Sequence, residues 1–598
     1  MTARAIRIGN ASGFYGDRAA AFREMVEGGP VDVITGDYLA ELTMLILWKA
    51  RKKDPSAGYA KTFLTQLREN LTECVNRGIK VVVNAGGLNP SGLANAVREL
   101  ATELELDVSV AHIEGDDLMP RFDDLLAEGH DFRHLDKEIP FTDAGVTPVS
   151  ANAYLGAWGI VEALGAGADI VICPRVTDAS LVVGASAWWH GWDRTDFDEL
   201  AGAVLAGHII ECGPQATGGN YSQLAEVTDR RYPGFPIVEM ASDGSFVVTK
   251  HDDTGGLVSV GTVIAQVLYE IDDPRYLNPD VVSRFDTASI TQEGPSRVRV
   301  TGVRGTPPPP TLKVAMNYVG GYRNTMTLVL TGLDIEEKAR WAEDQLFEIL
   351  GGKDRFDEVD VQLLRYDRPD PTGPADSTAH LRVTVKDRDR AKVDRAFSNA
   401  VMELFLAGYA GFHTTTPPSS ASEYGVYWPA IVPKELVEHA VVHGDGRRQL
   451  IPHPPEVANP PREPLTQETV KDDDEAFPSS GGQMVTLPLG RIASARSGDK
   501  GGNANVGVWI PAAHPQRDRA YAWLEGFLTA ETVKRLLPEA AELRIDVHPL
   551  PNLAGVNILI HGLLGEGVAS STRFDPQAKA VGEWLRARVV AIPEELLA

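Results

Sequence analysis

Residues 80–90 read KVVVNAGGLNP. Three consecutive valines follow a lysine, and β-branched side chains favour extended backbone. Asn84 closes the run and Gly86-Gly87 supplies a turn. Asn89 then stands before Pro90, an N-cap residue followed by the one residue that loses no hydrogen bond at the first helical position. Leu93, Val97, Leu100 and Leu104 continue at helical spacing. The stretch is a strand, a glycine turn and a helix. Its strand shows no polar alternation, which is the pattern of a parallel strand buried on both faces.

The same unit recurs on either side. Towards the N-terminus, Ile6 to Gly9 and Val31 to Thr35 read as strands, with helices over Arg18 to Glu27 and Tyr38 to Arg51. Leu64, Leu67, Leu71 and Val75 mark another helix. Towards the C-terminus come strands at Asp107 to Ala111 and Asp169 to Cys173, with a helix over Leu155 to Leu164 between them. Residues 1–245 are therefore expected to form an α/β domain with a parallel, doubly wound sheet. From about Phe246 the pattern becomes α+β: a helix over Val258 to Ile271, strands at Val298 to Thr301, Leu312 to Val319 and Thr325 to Leu330, and a helix over Ile335 to Leu350. A strand at Leu381 to Val385 and a helix over Ala391 to Leu406 follow, completing a domain over 246–451 packed on the first. Residues 452–483 are rich in Pro, Glu, Asp and Ser, which is linker composition. Residues 484–598 read as a small ferredoxin-like α+β domain, its last helix capped by Asp575 with Pro576 behind it.

The chain has 598 residues, 43% hydrophobic and 23% charged, which is globular composition and too long for one core. A net charge of -26 argues against a nucleic-acid partner. It leaves room for an anionic substrate in a local basic pocket. Cys74, Cys173 and Cys212 are odd in number and far apart, which favours a reducing compartment over a disulfide framework or a zinc site. The start lacks a basic segment followed by an apolar one, and Leu42 to Trp48 is too short to span a bilayer. A cytoplasmic protein without membrane contact is expected, and on the general habit of large α/β enzymes a homo-oligomer.

Several strings resemble the acyclic terpene utilisation (AtuA) family: IGNASGFYGDR at 8–18, TGDYLAE at 35–41, VVNAGGLNP at 82–90 and PRVTDAS at 174–180. GHIIECGPQATGGNYS at 207–222 and TGGLVSVGTVIAQVLYEI at 254–271 continue the resemblance, and ARSGDKGGNANVGV at 495–508 is similar to the opening of the family's C-terminal ferredoxin-like domain. The family is named for catabolism of acyclic terpenes, which proceeds through CoA thioesters. The resemblance implies an acyl-CoA substrate, with coenzyme A present only as part of it and no other cofactor.

In open parallel sheets ligands bind beyond the carboxyl ends of the strands. Gly13, Asp37, Asn84 with Gly86 and Gly87, and Arg175 with Asp178 all stand there. The Gly9-Gly13-Gly16 loop offers backbone N–H groups to an anion, or is a plain turn. Asp37 and Glu41 are a carboxylate pair for acid–base work, or two acids complementing a helix N-terminus. Arg175 holds an anionic group, or pairs only with Asp178. The residues Gln215, Thr217, Gly218, Gly219 and Asn220 suit recognition of a carbonyl or thioester oxygen. Thr254 is read as an N-cap whose following N–H groups form an anion site, or as capping alone. Arg496 and Lys500 are read in a glycine-rich loop before a strand at Val506 to Ile510, forming an anion site, a solvated turn or a domain contact. His208 and Cys212 share a helix face. The helix C-terminus disfavours a thiolate there and raises the histidine's pKa, making His208 an acid. His112, Glu114, Asp116 and Asp117 offer oxygen ligands in no known metal spacing, so no metal is expected.

Three functions are open on these residues. One is hydratase, isomerase or lyase chemistry on a branched or terpenoid acyl-CoA. The second is a non-catalytic ligand-binding or scaffolding partner of an acyl-CoA carboxylase, in contact with other pathway enzymes. The third is a hydrolase using Cys212.

Overall fold

The computed structural model describes residues 4–459 and 483–597, so most of the expected linker at 452–483 lies outside the described residues. The chain divides into two compact units. Described residues of 1–317, 427–568 and 577–598 form one, and 318–426 with 569–576 form the other.

The first unit begins with β1 (Ile6–Asn10), α1 (Ala21–Glu27), β2 (Val33–Gly36), α2 (Glu41–Lys53), α3 (Lys61–Arg77), β3 (Lys80–Val83) and α4 (Pro90–Glu103). There follow β4 (Val110–Glu114), α5 (Phe122–Ala127), β5 (Pro148–Ala153), α6 (Trp158–Gly165), β6 (Ile170–Ile172), α7 (Ser180–His190) and α8 (Phe197–Ile210). Next are β7 (Pro236–Met240), β8 (Phe246–Lys250) and α9 (Val260–Val267). The strands β1-β2-β3-β6-β4 lie side by side and parallel. Ile34, Val81, Val83, Ile170 and Ile172 share one buried cluster with Phe22 of α1, Phe63 and Leu67 of α3, and Leu93 and Val97 of α4. The alternate residues Val33, Val82 and Val171 are equally buried, which is why the valine run carries no polar alternation. Asn89 caps α4 as its sequence suggests, accepting from the Gly92 N–H at 3.0 Å. Its loss would cost roughly 1 kcal/mol.

The sheet is parallel only in its centre. β7 runs antiparallel to β1, and the turn from β7 to β8 is too short for a crossover, so β8 is antiparallel to β7. Strands Ser289–Gly294, Arg297–Thr301, Ala440–Val442 and Arg448–Leu450 extend the same sheet beyond residue 245. β5 does not join it but pairs with Thr311–Thr331. That segment is one strand, where two were expected, and it runs through Gly320 and Gly321, the latter at φ +144. The helix expected to start behind Thr254 begins at Val260 instead, with Ser259 and Thr262 forming a capping box.

The second unit carries the antiparallel strands Glu358–Arg365 and Thr378–Asp387 beside Tyr322–Thr331, with helices Ile335–Leu350 and Arg395–Ala407 on its core.

Towards the C-terminus lies a small α+β domain belonging to the first unit. Its antiparallel sheet runs Ser494–Lys500, Asn503–Trp509, Gly555–Ile560, Ile545–Leu550. Helices Arg517–Phe527, Ala530–Leu536 and Val581–Ala587 cover it around Trp523, Leu524, Val533 and Leu585. Two readings are corrected here. Arg496 and Lys500 stand on a strand, not in a loop. They form one arm of a hairpin whose turn is Gly501-Gly502, with Lys500 opposite Asn503. The last helix starts at Val581 after Ala580 rather than at Asp575. Glycines let this domain sit close to the body: a Cβ on Gly498 would lie 2.5 Å from the Tyr269 ring, and one on Gly507 would meet Leu268.

Candidate functional site

The carboxyl ends of the parallel strands converge as their order requires. After β2, Asp37 is 5% exposed, and its Oδ1 accepts from the Leu39 N–H at 2.9 Å and from Asn84 Nδ2, after β3, at 2.5 Å. Asn84 is fully buried and its own Oδ1 accepts from the Tyr38 N–H at 2.7 Å. After β6, Arg175 is 2% exposed and donates to Asp178 Oδ1 at 2.9 Å. Its guanidinium lies 4.4 Å over the ring of Tyr154, whose hydroxyl donates to Glu41 Oε1 at 3.1 Å. Lys313 stands over the rings of both Tyr154 and Tyr427. Asp37, Glu41 and Asp178 all lie in the field of Arg175.

A second wall comes from the C-terminal domain. Lys500 Nζ donates to the Glu270 carbonyl at 2.8 Å and lies over Tyr276. Lys579 Nζ bonds to the Tyr269 hydroxyl, to Glu270 Oε1 at 3.1 Å and to Asp499 Oδ1 at 3.3 Å. Arg496 stacks 4.2 Å over Tyr269 and donates to Gln215 Oε1 at 2.5 Å. Asn505 holds the Glu270 N–H at 2.7 Å, and Asn557 donates to the Asp272 carbonyl at 2.7 Å, so two strands of the small domain grip the segment carrying Glu270. The walls meet electrostatically: Asp178 senses Glu270 and Lys500 as well as Arg175 and Glu41. Burial is the largest influence on Asp178, Asp499 and Lys579, yet Asp178, Glu270, Asp499 and Lys579 keep 28, 29, 21 and 36% of their side-chain surface accessible. These groups, deep yet still partly accessible, mark the seam between the two walls, here termed the recess.

The recess separates its carboxyls. Burial, reinforced by the charge of Asp178, pushes Asp37 well above the usual carboxylate range against the pull of Arg175 and Asn84. Burial also opposes ionisation of Glu41, but Arg175 and Lys313 outweigh it and hold its pKa below the ordinary value. Asp178 is raised by burial against the pull of Arg175. Asp499 is pushed up to about 7 by burial and Glu270. Glu211 is raised well above its usual range by burial, then by Asp178 and Glu270. Burial thus favours the protonated form of Asp37 and Glu211, while Arg175 and Lys313 favour the ionised form of Glu41. Five cations, Arg175, Lys313, Arg496, Lys500 and Lys579, there face the six carboxyls Asp37, Glu41, Asp178, Glu211, Glu270 and Asp499.

Other expected site residues have structural partners. The Gly13 N–H, offered to an anion on its sequence, donates to Asp17 Oδ2 at 2.7 Å, an acid of the same loop. Gly13 is needed because a Cβ would lie 2.8 Å from the Cys212 carbonyl carbon. Gly86 donates to the Cys173 carbonyl at 3.0 Å and Gly87 to the Asn84 carbonyl at 3.3 Å. Thr217 donates to the Gly234 carbonyl at 2.6 Å, Gly218 and Gly219 close the turn over Gln215 and Pro214, and Asn220 is exposed in left-handed backbone. Of that turn, Gln215 reaches the recess wall. The rest seats the small domain, with Ser222 accepting from the Ala495 N–H at 3.3 Å and Gln223 donating to Ser494 Oγ at 2.9 Å. Thr254 donates to the His251 carbonyl at 2.7 Å and caps nothing.

His208 corrects the acid expected of it. Burial, then Lys500, lowers it to about 4, so it is neutral, because desolvation outweighs the helix-end dipole. Cys212 is pushed well above the ordinary thiol range by burial and by Glu270 and Glu211. Asp116, at the back of Arg175, accepts from the Arg175 N–H at 3.2 Å and from Asn152 Nδ2 at 2.8 Å, and burial lifts it to about 7. Among the described residues no group of three or more His, Cys, Asp or Glu is placed to hold a metal, and no helix is long and apolar enough to cross a membrane.

Glu211, Glu270, Lys313, Lys579 and the tyrosines 154, 269, 276 and 427 were not singled out on the sequence. Only Glu211 and the Tyr269–Glu270 pair lie inside quoted strings.

A model of the acyclic terpene utilisation family protein AtuA matches residues 6–443, and a model of the AtuA ferredoxin-like domain matches residues 487–591. No curated protein and no solved structure matches the chain.

Proposed function

The chain belongs to the acyclic terpene utilisation AtuA family, and from that premise we propose that the recess is the active site of an enzyme acting by acid–base chemistry on a branched or acyclic-terpenoid acyl-CoA. One observation carries the reading: Asp37 and Glu41 flank one arginine with their pKa values displaced in opposite directions. Two carboxyls so separated supply a proton donor and a proton acceptor at the same pH. Arg175 binds the substrate's anionic group with a planar pair of donors. Ionised Glu41 takes a proton, from water in a hydration or from carbon in an isomerisation, and protonated Asp37 returns one at the far atom. No electrons are exchanged, so the step needs no redox partner. Lys500 and Lys579 stabilise negative charge developing on the thioester oxygen. The small domain is then part of the site.

The doubly wound reading of the parallel sheet belongs with this proposal, since α7 packs along β1, β2 and β3, the strands that α1, α3 and α4 also cover. The hydrolase reading loses ground because Cys212 keeps its proton.

The test is a panel of CoA thioesters, scored first by thermal shift and then by mass. A branched unsaturated acyl-CoA should stabilise the protein and should gain the mass of water or change chromatographically at constant mass. If no thioester does either, the reading fails.

A further inference from the structure

A cavity of about 40 Å³ lies in the first unit, lined by Trp158, Arg194, Asp280, Lys434, His439 and His453 among others. From its lining we infer that it is a binding site for one small anionic head, a carboxylate or a phosphate.

Lys434 is 3% exposed, and its Nζ makes one hydrogen bond among the described residues, to the Pro279 carbonyl at 2.7 Å. An ammonium has three donors. Arg194 lies 4.6 Å over the Trp158 ring, which leaves the edge of its guanidinium to bind. One of its donors reaches the Pro452 carbonyl at 2.7 Å. Neither cation forms an ion pair among the described residues. The acid in the lining, Asp280, acts on both cations without pairing with either: its Oδ2 accepts from the Ala157 N–H at 2.7 Å, and Gly156 leaves room for its carboxylate. Burial lowers Lys434 to about 8 against the pull of Asp280 and Glu435, and lowers Arg194 against Asp280 and Glu162, so both charges are incompletely compensated where they stand. His439 is neutral there, its pKa lowered to about 3 by burial, then by Arg194 and His453, so it adds no charge. A bound monoanion completes the balance and the free donors together.

Size selects the ligand. The cavity holds about three waters' worth of centres, so it admits a carboxylate or phosphate head and excludes a nucleotide or a whole acyl-CoA. It shares a wall with the recess: Leu155 lines the cavity, its N–H donates to the Arg175 carbonyl at 3.1 Å, and its neighbour Tyr154 lies under the Arg175 guanidinium.

Inorganic phosphate and acetate are the probes, titrated calorimetrically into the full chain, with Trp158 fluorescence as a local reporter. One of the two anions should bind with Kd below about 1 mM and change a fluorescence component that Trp158→Phe lacks. Lys434→Met should weaken this binding about tenfold or more, and Arg175→Lys should leave it unchanged. Should Lys434→Met fail to fold, Arg194→Gln on the half-buried arginine decides the same question. Unchanged affinity in the cavity variant, or binding lost only in Arg175→Lys, would overturn the site and place the anion in the recess. Absence of any binding by either probe would overturn it as well. The acyl-CoA panel can fail without touching this result, and this result can fail without touching the panel.

Discussion

Asn84 donates to Asp37 Oδ1 at 2.5 Å while its own carbonyl oxygen accepts from the Tyr38 N–H, so one buried amide ties the ends of β2 and β3 and holds the proposed acid in place. Replacing Asn84 by Leu leaves the Tyr38 N–H and a carboxyl oxygen without that partner. Denaturant unfolding should show a loss of about 1–3 kcal/mol. The bond favours the ionised form of Asp37, so its removal should also move the alkaline limb of the pH–rate profile upward. An unchanged profile in a folded variant would detach Asn84 from the chemistry.

Arg175→Ala removes the one guanidinium shared by Asp37, Glu41 and Asp178. A tie to Asp178 alone predicts a lower Tm with unchanged ligand affinity. The shared role predicts both a lower Tm and binding weakened about tenfold to a hundredfold. Stranding buried carboxylates costs about 3–5 kcal/mol at neutral pH, and the deficit should shrink on acidification as they protonate. Asp37→Asn, which resembles the protonated acid, should instead keep the fold and affinity and lose turnover. Unchanged affinity and turnover in both variants would remove the recess from consideration.

Cys212→Ser should retain most activity, because burial and two acids keep the thiol protonated. A covalent nucleophile would show a loss of roughly a thousandfold or more with the fold intact. Iodoacetamide at pH 7 should correspondingly leave Cys212 unmodified by mass.

Asp116 has a folded pKa of about 7 against an ordinary value of 3.8. A raised pKa means the folded state binds the extra proton. Its contribution to stability is therefore complete below about pH 4 and is lost as the pH rises through 7. Asp116→Asn carries the neutral group at every pH, so its stability relative to wild type should improve steadily between pH 4 and 7 and level off above. A constant difference across that range would contradict the raised pKa. Asp499→Asn should behave alike for the same reason.

The parallel core was legible because each strand announces itself locally: a run of β-branched residues, a glycine turn and a capped helix lie within a dozen positions, as at Lys80 to Pro90. The antiparallel strand β7 was not, because nothing local says which neighbour a strand will choose. Asp37, Glu41, Arg175 and Asp178 could be grouped in advance because parallel strands end on one side. Lys579 could not. It meets Glu270 across 309 residues of chain, and a lysine in a polar stretch carries no mark of its partner. The 213–220 turn misled for a different reason: glycines and amides that look like ligand contacts also suit a surface on which another domain must sit closely.

The hairpin Ser494–Lys500 / Asn503–Trp509 turns on two glycines, with Gly501 at φ +64. Along its first strand Arg496, Gly498 and Lys500 meet the body through Gln215, Tyr269 and Glu270, while Ser497 turns to the Ala578 carbonyl and Asp499 to Lys579. Side chains alternate, so a slip of one residue would trade every member of one set for the other. The place taken by a lysine would pass to an aspartate, and the gap left for a tyrosine ring would be filled by a serine. Inserting one residue at Gly501-Gly502 would thus rearrange charges that already share the recess, moving Lys500 off the Glu270 carbonyl and Asp499 off Lys579, while leaving the amino-acid content of the strand untouched.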